Sequence, residues 1–427
     1  MSNPRPLAVI AAHSCPFSEI GGAENGGMSI YVREVTARLA ARGVPSVIFT
    51  RKEDSGAPAH VDLPESCHLV HVAAGPEAPL DKNALFYHLP DFYRGVAAWT
   101  RENDVNFQLV QSHYWISGWA GRRLGRLWGV PWLHMAHTLA RVKDRDRPPA
   151  AALEPDQRVA VELEIVRSCN RLIAPTQQEV EDLAYLYGAD RQCATVVAPG
   201  VDTDAFRRVD AEPLRARLGL TPDDRVILFT GRLERLKGVD TLLHALADML
   251  ARRSQNNLRL VVLGDDSGNG HAEAAAYGGE RGRLEALARE LGVAEQVSFI
   301  GKVPHHLLPQ YYSLADVTAI PSHSESFGLV AIESQACETP VAASRVGGLR
   351  QLVLDGISGR TIAGHDPAAY AEALTRIIDD PELARSMGRA GRRVAEAYSW
   401  EATADKLLAV YEETEADYKR AASALLG

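Results

Sequence analysis

Two glutamates, Glu325 and Glu333, lie eight residues apart at the point where an apolar helix pattern begins near Leu329. Glu325 therefore falls on a loop and Glu333 on the first turns of a helix. The first N–H groups of a helix have no partner within it and can bind a phosphate. The pattern predicts a ligand whose sugar meets Glu325, whose phosphate meets the amides of residues 327–330 and whose ribose meets Glu333. The alternative is two surface acids, but the strand before the pair and the apolar helix after it favour a binding site.

Two cations, Arg232 and Lys237, lie on one predicted strand-to-helix turn, between a strand at 226–230 and a helix at 238–251. A forked guanidinium and a mobile ammonium on the same turn can hold a diphosphate. Fixed cations in a cleft that excludes water also stabilise the negative charge on a departing diphosphate. The turn is therefore a candidate diphosphate clamp, with a solvated basic loop as the alternative.

A glycine-rich segment, residues 21–29, follows the first predicted strand and opens a helix. Such a turn lets backbone N–H groups approach a phosphate closely. The glycine spacing differs from that of a dinucleotide-binding loop, and Met28 stands where a nucleoside-triphosphate-binding loop has its lysine. These departures argue against a kinase or an ATPase and leave either a phosphate-binding turn or a flexible connection.

The elements that must position these residues form two successive series. Short apolar runs alternate with longer amphipathic stretches in each half, a pattern typical of a parallel sheet covered by helices on both faces. The predicted strands are 7–12, 46–50, 68–72, 107–111, 132–135, 171–174 and 195–197 in the first half, and 226–230, 258–263, 297–300, 317–321 and 340–342 in the second. The predicted helices are 28–42, 84–102, 157–168, 238–251, 283–291 and 329–336.

This alternation predicts an α/β protein with two doubly wound sheets. We predict a first domain over 1–198, a second over 199–398, and a helix over 399–427 that returns to the first domain. Ligands bind at the carboxyl ends of the strands in such folds, so the cleft between the two sheets is the predicted site.

Composition limits the functions that the chain can have. Its 427 residues suffice for two domains, and a net charge of −9 argues against sequence-independent binding of nucleic acid. The five cysteines are scattered without a Cys-x-x-Cys pair, which argues against a disulfide framework or a zinc site. No apolar run is long enough to span a membrane, so we expect a cytoplasmic protein without membrane insertion. A homodimer is compatible with the sequence but not specified by it.

Together these motifs resemble family 4 of the retaining glycosyltransferases, which includes glycogen-synthase-like enzymes, sucrose-phosphate synthases and mannosyltransferases. The branch that acts on inositol phosphates is the most similar. The segments that carry the resemblance are 26–28 with Tyr31 and Val32, 112–115, 136–139, 199–202 and 322–328. The resemblance covers nearly the whole chain. It implies the GT-B fold, in which two Rossmann-like domains face a central cleft, and a nucleotide sugar as substrate, with no cofactor and no metal needed for the chemistry.

The resemblance also implies a donor site and a set of catalytic residues. The donor-site residues are His13, Gly26, Gly27, Arg232, Lys237, Val303, Glu325, Phe327, Gly328, Leu329 and Glu333. The catalytic residues are His137, Arg232, Lys237 and Glu325. The backbone of Val303 is expected to meet the base, and His137 to lie near the donor sugar. For His137, a packed core histidine is the alternative.

An acceptor site is implied in the first domain. Lys82, Tyr114, Thr138 and Arg158 match residues that hold the phosphate of the acceptor in the most similar branch, and sucrose-phosphate synthases hold fructose 6-phosphate with a similar set. The loop that contacts the acceptor ring contributes Glu24, Asn25 and Ser29. Here that loop differs from the usual Asp-Ala-Gly-Gly-Met-Asn, so the resemblance leaves the acceptor ring open.

The implied reaction is the transfer of a sugar, with retention, from a nucleotide sugar to a small soluble acceptor. A UDP-sugar donor and a phosphorylated polyol or sugar such as inositol phosphate are favoured. The alternatives are a GDP-sugar-dependent transferase with a non-phosphorylated acceptor, a sugar-nucleotide epimerase on the same fold, and a non-catalytic binding protein. A metal enzyme is disfavoured because the candidate histidines, His134, His137, His305, His306 and His323, lack the carboxylate and spacing of known sites.

Overall fold

The strands of the first half form one sheet of eight. The computed structural model describes residues 5–17, 26–148, 151–252, 257–266 and 277–426. The strands are β1 Leu7–Ile10, β2 Ser46–Arg51, β3 His60–Leu63, β4 Cys67–Val72, β5 Leu109–His113, β6 Trp132–Met135, β7 Arg171–Ala174 and β8 Ala194–Val196. Their order is β3-β4-β2-β1-β5-β6-β7-β8. All neighbours are parallel except β3 and β4, which form an antiparallel hairpin at the edge.

The second half forms a sheet of six parallel strands. These are β9 Arg225–Thr230, β10 Leu258–Leu263, β11 Val297–Gly301, β12 Val317–Ile320, β13 Val341–Ser344 and β14 Gly359–Ile362, in the order β11-β10-β9-β12-β13-β14. The order reverses beside the first strand of each series, which opens a crevice at the carboxyl ends of the strands. The predicted pair of Rossmann-like, doubly wound domains facing a central cleft is confirmed.

Helices cover both faces of each sheet. Those of the first half are Gly27–Ala41, Lys82–Phe86, Leu89–Glu102, Tyr114–Trp128, Ala140–Asp146, Asp156–Ser168 and Gln177–Tyr187. Those of the second half are Glu212–Arg217, Val239–Ala251, Glu280–Glu290, Leu308–Leu314, Leu329–Ala336, Leu349–Leu352, Pro367–Ile378, Pro381–Glu396 and Trp400–Leu426. In the part of the chain that the structure describes, no helix combines the length and apolar character needed to cross a membrane.

The central strands are buried on both faces. In β1, Leu7 and Val9 pack into one hydrophobic cluster while Ala8 and Ile10 pack into another, and all four are at most 1% exposed. Side chains alternate between the faces of a strand, so a strand covered on both sides reads as a continuous apolar run. The apolar runs of the sequence therefore mark the centre of each sheet.

The last helix, Trp400–Leu426, packs against the first helix of the chain, Gly27–Ala41. Trp400 and Tyr411 lie in the same hydrophobic cluster as Tyr31, and the Arg42 guanidinium binds Asp405 at 2.6 Å. The last helix thus packs against the first half of the chain.

Several predicted elements differ from the observed ones. The single helix predicted over 84–102 is two helices, Lys82–Phe86 and Leu89–Glu102, because Pro90 has no N–H to donate and starts a new helix instead of continuing the first. The strand predicted over 107–111 runs from Leu109 to His113. The strands β3 and β14 are additional to the predicted ones, as are four longer helices, Tyr114–Trp128, Gln177–Tyr187, Pro367–Ile378 and Pro381–Glu396, and four short ones, Ala140–Asp146, Glu212–Arg217, Leu308–Leu314 and Leu349–Leu352.

Candidate active site

A cavity of about 390 Å³ lies between the two sheets and is lined by both halves of the chain. The loops that follow β1 and β6 supply His13 and His137, and Tyr114 is the first residue of the helix that begins directly after β5. The loops that follow β9 and β12 supply Arg232 and Glu325 from the opposite side. Parallel strands end at the same edge of a sheet, so residues far apart in sequence meet here.

Most of the candidate site residues line this cavity. They are His13, Gly26, Gly27, Lys82, Tyr114, His137, Thr138, Arg232, Lys237, Val303, Glu325, Phe327, Gly328, Leu329 and Glu333. Ser29 and Arg158 are buried and do not line it. Glu24 and Asn25 lie outside the described residues.

On the side of the second half, each predicted cation contacts a carboxylate. The ammonium of Lys237 donates to Glu325 at 2.7 Å, and the guanidinium of Arg232 lies 3.4 Å from Glu234. Lys237 ends a short 3₁₀ turn, and Gly238 follows it in the left-handed conformation at φ 66°. The turn therefore brings both cations to the cavity while the carboxylates hold their side chains in place.

The lowered pKa of Glu234 indicates a positive electrostatic field in the cleft. Burial alone would raise the pKa of Glu234, but Arg232, Lys143, Lys237 and Lys82 outweigh it and lower the pKa to about 2. Two of these cations come from each half of the chain, so the positive field is shared across the cleft. Such a field concentrates anionic ligands in the cavity. Glu234 and Lys143 were not predicted as site residues, although Glu234 stands within the glycine-bounded turn that carries Arg232 and Lys237.

Glu333 is held by two partners that the sequence did not reveal. It is 4% exposed, and its two carboxylate oxygens accept hydrogen bonds from His305 at 2.8 Å and Tyr312 at 2.9 Å. Burial would lower the pKa of His305, but the charge of Glu333 and its hydrogen bond raise that pKa overall. These bonds fix the carboxylate at the cavity wall, where each oxygen keeps a lone pair for a ligand hydroxyl.

The loop that carries Glu325 rests on a glycine pair. Gly347 has φ 42°, and a Cβ atom there would overlap the carbonyl oxygen of Glu325. The N–H of Gly348 donates to the same oxygen at 3.2 Å. A larger residue at Gly347 would displace the loop, so the close packing of glycine sets the position of Glu325.

A cluster of histidines lies on the first-half side, where His13 and His137 line the cavity and His113 contacts His137. His113 and His137 face each other with 2.9 Å between their ring nitrogens, and the centre of the His13 ring lies 4.5 Å from that of the Tyr114 ring, with the two planes tilted by 37°. Burial lowers the pKa of all three histidines, and the nearby Lys82 adds to the effect at His13. Burial lowers the pKa of His137 to about 3, so its side chain is a neutral imidazole at neutral pH and can form hydrogen bonds.

The two halves touch across the cleft. The Ser326 hydroxyl donates to the backbone carbonyl of His137 at 2.6 Å. A Cβ atom at Gly27 would lie 3.0 Å from the Leu329 side chain, so only a small residue fits there comfortably. The described conformation is therefore one in which the two walls of the cavity touch.

The residues predicted to hold the acceptor phosphate lie only partly on the cavity surface. The Lys82 ammonium lies 5.5 Å from the centre of the Tyr114 ring, and both residues and Thr138 line the cavity. The Arg158 guanidinium lies below, 5.0 Å from the same ring. It binds Glu162 at 2.7 Å, Glu154 at 2.8 Å and the Thr138 hydroxyl at 3.0 Å. Arg158 therefore supports the cavity floor from within the core.

Ser29 also lies inside the protein. It is fully buried on the first helix, and its hydroxyl is 3.2 Å from that of Ser14. Because its side chain faces the domain core, Ser29 does not contribute to the cavity wall in this structure.

An acidic group that the sequence did not mark also lines the cavity. Glu179 is 6% exposed, and its Oε1 has no hydrogen-bond partner among the described residues. Burial, with the nearby charges of Asp182 and Glu162, raises the pKa of Glu179 to about 8. This wall of the cavity thus holds a carboxyl group that stays protonated at neutral pH.

Comparisons with known proteins cover both halves. Residues 210–394 match the family described as Glycosyl transferases group 1, and residues 25–205 match Glycosyltransferase Family 4. The D-inositol 3-phosphate glycosyltransferase of Thermobifida fusca is 44% identical over 96% of this chain and 94% of its own. D-inositol 3-phosphate glycosyltransferase 2 of Catenulispora acidiphila is 41% identical over 98% of this chain and 97% of its own. The solved sucrose-phosphate synthase of Thermosynechococcus elongatus superimposes with a TM-score of 0.86 and 32% identity, over 97% of this chain and 100% of its own.

Proposed function

The chain is a glycosyltransferase and belongs to family 4, and on that premise we propose that it transfers a sugar from a UDP-sugar to a phosphorylated polyol of the inositol 3-phosphate class. The transfer retains the configuration of the anomeric carbon. The observation that carries this proposal is the convergence of Arg232 and Lys237 with Lys82 and Lys143 around one cleft. A diphosphate on one wall and a monophosphate on the other account for cations from both halves.

The second half supplies the donor site. The diphosphate of the donor lies against Arg232 and Lys237, beside the first amides of the helix Leu329–Ala336. Glu333 accepts hydrogen bonds from the ribose, and Glu325 orients the transferred sugar. The backbone at Val303 meets the base, so the side chains report little about which base is bound. The choice of uridine as the base is based on the family resemblance, and a comparison of UDP-, GDP- and ADP-sugars tests it.

The first half supplies the acceptor site. Lys82, with Tyr114 and Thr138, binds the acceptor phosphate at the cavity surface, while Arg158 holds Thr138 from below. The names of the two curated relatives specify inositol 3-phosphate, which supports that acceptor class. A phosphorylated sugar such as fructose 6-phosphate is a second candidate, favoured by the similarity to sucrose-phosphate synthase.

The reaction proceeds on one face of the sugar. The bond from the anomeric carbon to the diphosphate oxygen breaks, an acceptor hydroxyl bonds to that carbon from the same side, and the hydroxyl proton passes to the leaving diphosphate. Arg232 and Lys237 stabilise the charge on the leaving group. Glu325 is bound to Lys237 at 2.7 Å, which supports an orienting role and not that of a nucleophile. Contact between the cavity walls at Ser326 and His137 excludes water.

A two-way panel tests the proposal. Purified protein is incubated with UDP-, GDP- and ADP-sugars, each with inositol 3-phosphate, fructose 6-phosphate, unphosphorylated inositol or no acceptor. Thermal shift reports nucleotide binding, and proton NMR of the product reports the anomeric configuration. Transfer to inositol 3-phosphate with retention supports the proposal. Transfer to fructose 6-phosphate alone selects the second candidate, and turnover without an acceptor or transfer only to unphosphorylated inositol overturns both.

A further inference from the structure

Three metal-ligating side chains converge on the β3–β4 hairpin at the edge of the first sheet. His60 Nε2 and His68 Nδ1 lie 2.9 Å and 2.8 Å from the same oxygen, Oδ1 of Asp62. The two ring nitrogens are 3.2 Å apart. Within the described part of the chain this is the one group of three histidine, cysteine or carboxylate side chains whose ligand atoms meet in this way.

The strand register creates this arrangement. Asp62 pairs directly with His68 across the antiparallel hairpin, and His60, two residues before Asp62, lies on the same face. The turn between the strands is tight, with Cys67 donating to the Pro64 carbonyl and left-handed φ angles of 58° and 60° at Glu65 and Ser66. Positive φ at both central positions is the hairpin turn that matches strand twist, and it fixes the register.

The three atoms have the spacing of one face of a metal site. In a tetrahedral zinc site with bonds of about 2.0–2.1 Å, neighbouring ligand atoms are about 3.3 Å apart. The distances of 2.8, 2.9 and 3.2 Å need to open by only a few tenths of an ångström to reach that value. The side chains are 40%, 81% and 36% exposed for His60, Asp62 and His68, so water can take the remaining position.

Hydrogen bonding alone explains the group less completely. Each imidazole can donate its own N–H to Oδ1 of Asp62, but the two donor nitrogens then lie only 3.2 Å apart and their partial positive charges repel each other. A cation among the three atoms uses a lone pair from each at once. Two imidazoles and one carboxylate oxygen form a donor set that suits zinc.

We propose that His60, Asp62 and His68 bind one divalent transition-metal ion, zinc in the first instance, as a clamp between the edge strand and its neighbour. None of the three residues lines the cleft cavity. The ion is therefore independent of the transfer reaction, and its effect is on the stability of the hairpin.

Metal titration of the full-length protein tests this. Chelator-treated protein is titrated with zinc in competition with a chromophoric chelator, and with cobalt while the visible absorption band of a low-coordinate site is recorded. The wild type is expected to bind one ion and to gain thermal stability with zinc. His60→Ala and His68→Ala are each expected to weaken zinc binding at least roughly tenfold and to remove the cobalt band. His244→Ala is the matched control, because His244 is an exposed histidine on the helix Val239–Ala251, away from the hairpin.

Two outcomes overturn the proposal. One is zinc affinity and a cobalt band that are unchanged in both variants, which would place the ion at another group of side chains. The other is wild-type protein that binds no zinc at a concentration well above that of the protein. If His68→Ala fails to fold, the zinc affinities of His60→Ala and Asp62→Asn test the proposal instead, because both positions are exposed on the edge strand.

Discussion

The Ser326 hydroxyl donates a 2.6 Å hydrogen bond to the backbone carbonyl of His137, and this bond connects the two halves of the chain across the cleft. His137 has φ 57°, an uncommon conformation for a residue other than glycine. That backbone conformation turns its carbonyl toward the second half while its ring faces His113. The backbone conformation of His137 thus contributes both to the contact across the cleft and to the position of its ring.

Removing this hydroxyl should impair turnover. Ser326→Ala is expected to lower kcat by a factor of roughly three to ten, because a hydrogen bond contributes about 0.5–1.5 kcal/mol. Steady-state kinetics with both substrates saturating measure the effect, and Ser326→Thr, which keeps a hydroxyl, is the matched control. An alanine variant with wild-type kcat would show that the contact does not assist closure.

The guanidinium of Arg232 should matter most in the transition state. Arg232→Ala is expected to lower kcat by roughly 10²–10³, the usual cost of losing one stabilising donor at a developing negative charge. Arg232→Lys should recover part of this loss, since it keeps the charge without the fork. Arg252→Ala, a change at an exposed arginine paired with Asp248, should leave kcat intact. Near-normal turnover in Arg232→Ala would contradict the leaving-group role.

Substitutions at Lys82 and Arg158 should have different effects, the first on acceptor binding and the second on the stability of the fold. Lys82→Ala is expected to raise the acceptor KM by roughly 10–100-fold with little change in donor KM, because a hydrogen bond to a charged group contributes about 1.5–3 kcal/mol. Lys52→Ala, at a first-half lysine paired with Glu77 outside the cavity, is the control. Equal acceptor KM values in Lys82→Ala and wild type would place the acceptor phosphate elsewhere.

In contrast, Arg158→Ala leaves Glu162 buried without its cation. That change is expected to lower the free energy of unfolding by about 3–5 kcal/mol, as measured by urea denaturation. A stable variant with only a raised acceptor KM would instead favour direct contact between Arg158 and the ligand.

Glu179 should make stability depend on pH. Its pKa is about 8 in the folded protein against an ordinary value of 4.5, so between these pH values the folded state holds a proton that the unfolded chain releases. Stability conferred by the protonated group is therefore lost as pH rises through this window. Glu179→Gln, which stays neutral, should become increasingly more stable than the wild type as the pH rises.

Urea denaturation at several pH values from about 5 to 9 measures this difference. Glu181→Gln is the control, because Glu181 lies on the same helix with a half-exposed side chain that pairs with Arg191. A stability difference between Glu179→Gln and wild type that stays constant across this range would contradict the raised pKa.

The sequence predicted the central strands, and most of the residues predicted for the site line the cavity. Continuous apolar runs mark β1, β2, β9 and β10 because parallel strands buried on both faces need them. The strand ends then place Arg232 and Glu325 at one edge without knowledge of any contact. The hairpin strand β3 was not predicted, because its exposed face carries His60 and Asp62 and leaves no apolar run.

Contacts between distant residues could not be predicted in the same way. His305 and Tyr312 reach Glu333 from the loop after β11 and the helix that follows it, and no spacing in the sequence specifies that approach. The burial of Arg158 depends on Glu162, one helical turn later, and on Glu154. The pair Arg158 and Glu162 is visible in the sequence, but whether it faces the cavity or the core is decided only by packing.

The return of the last helix to the first half has a mechanical consequence. The chain passes between the halves twice, and the two passages lie side by side, with the N–H of Val201 donating to the carbonyl of Tyr398 at 3.0 Å and Gly200 packed against Trp400. One connecting segment would permit both bending and twisting. We expect two connecting segments that are hydrogen-bonded to each other to resist twisting and to act as a hinge with a single axis of rotation. We therefore expect the cleft to open and close by one rotation, and each closure to return Ser326 to the same carbonyl.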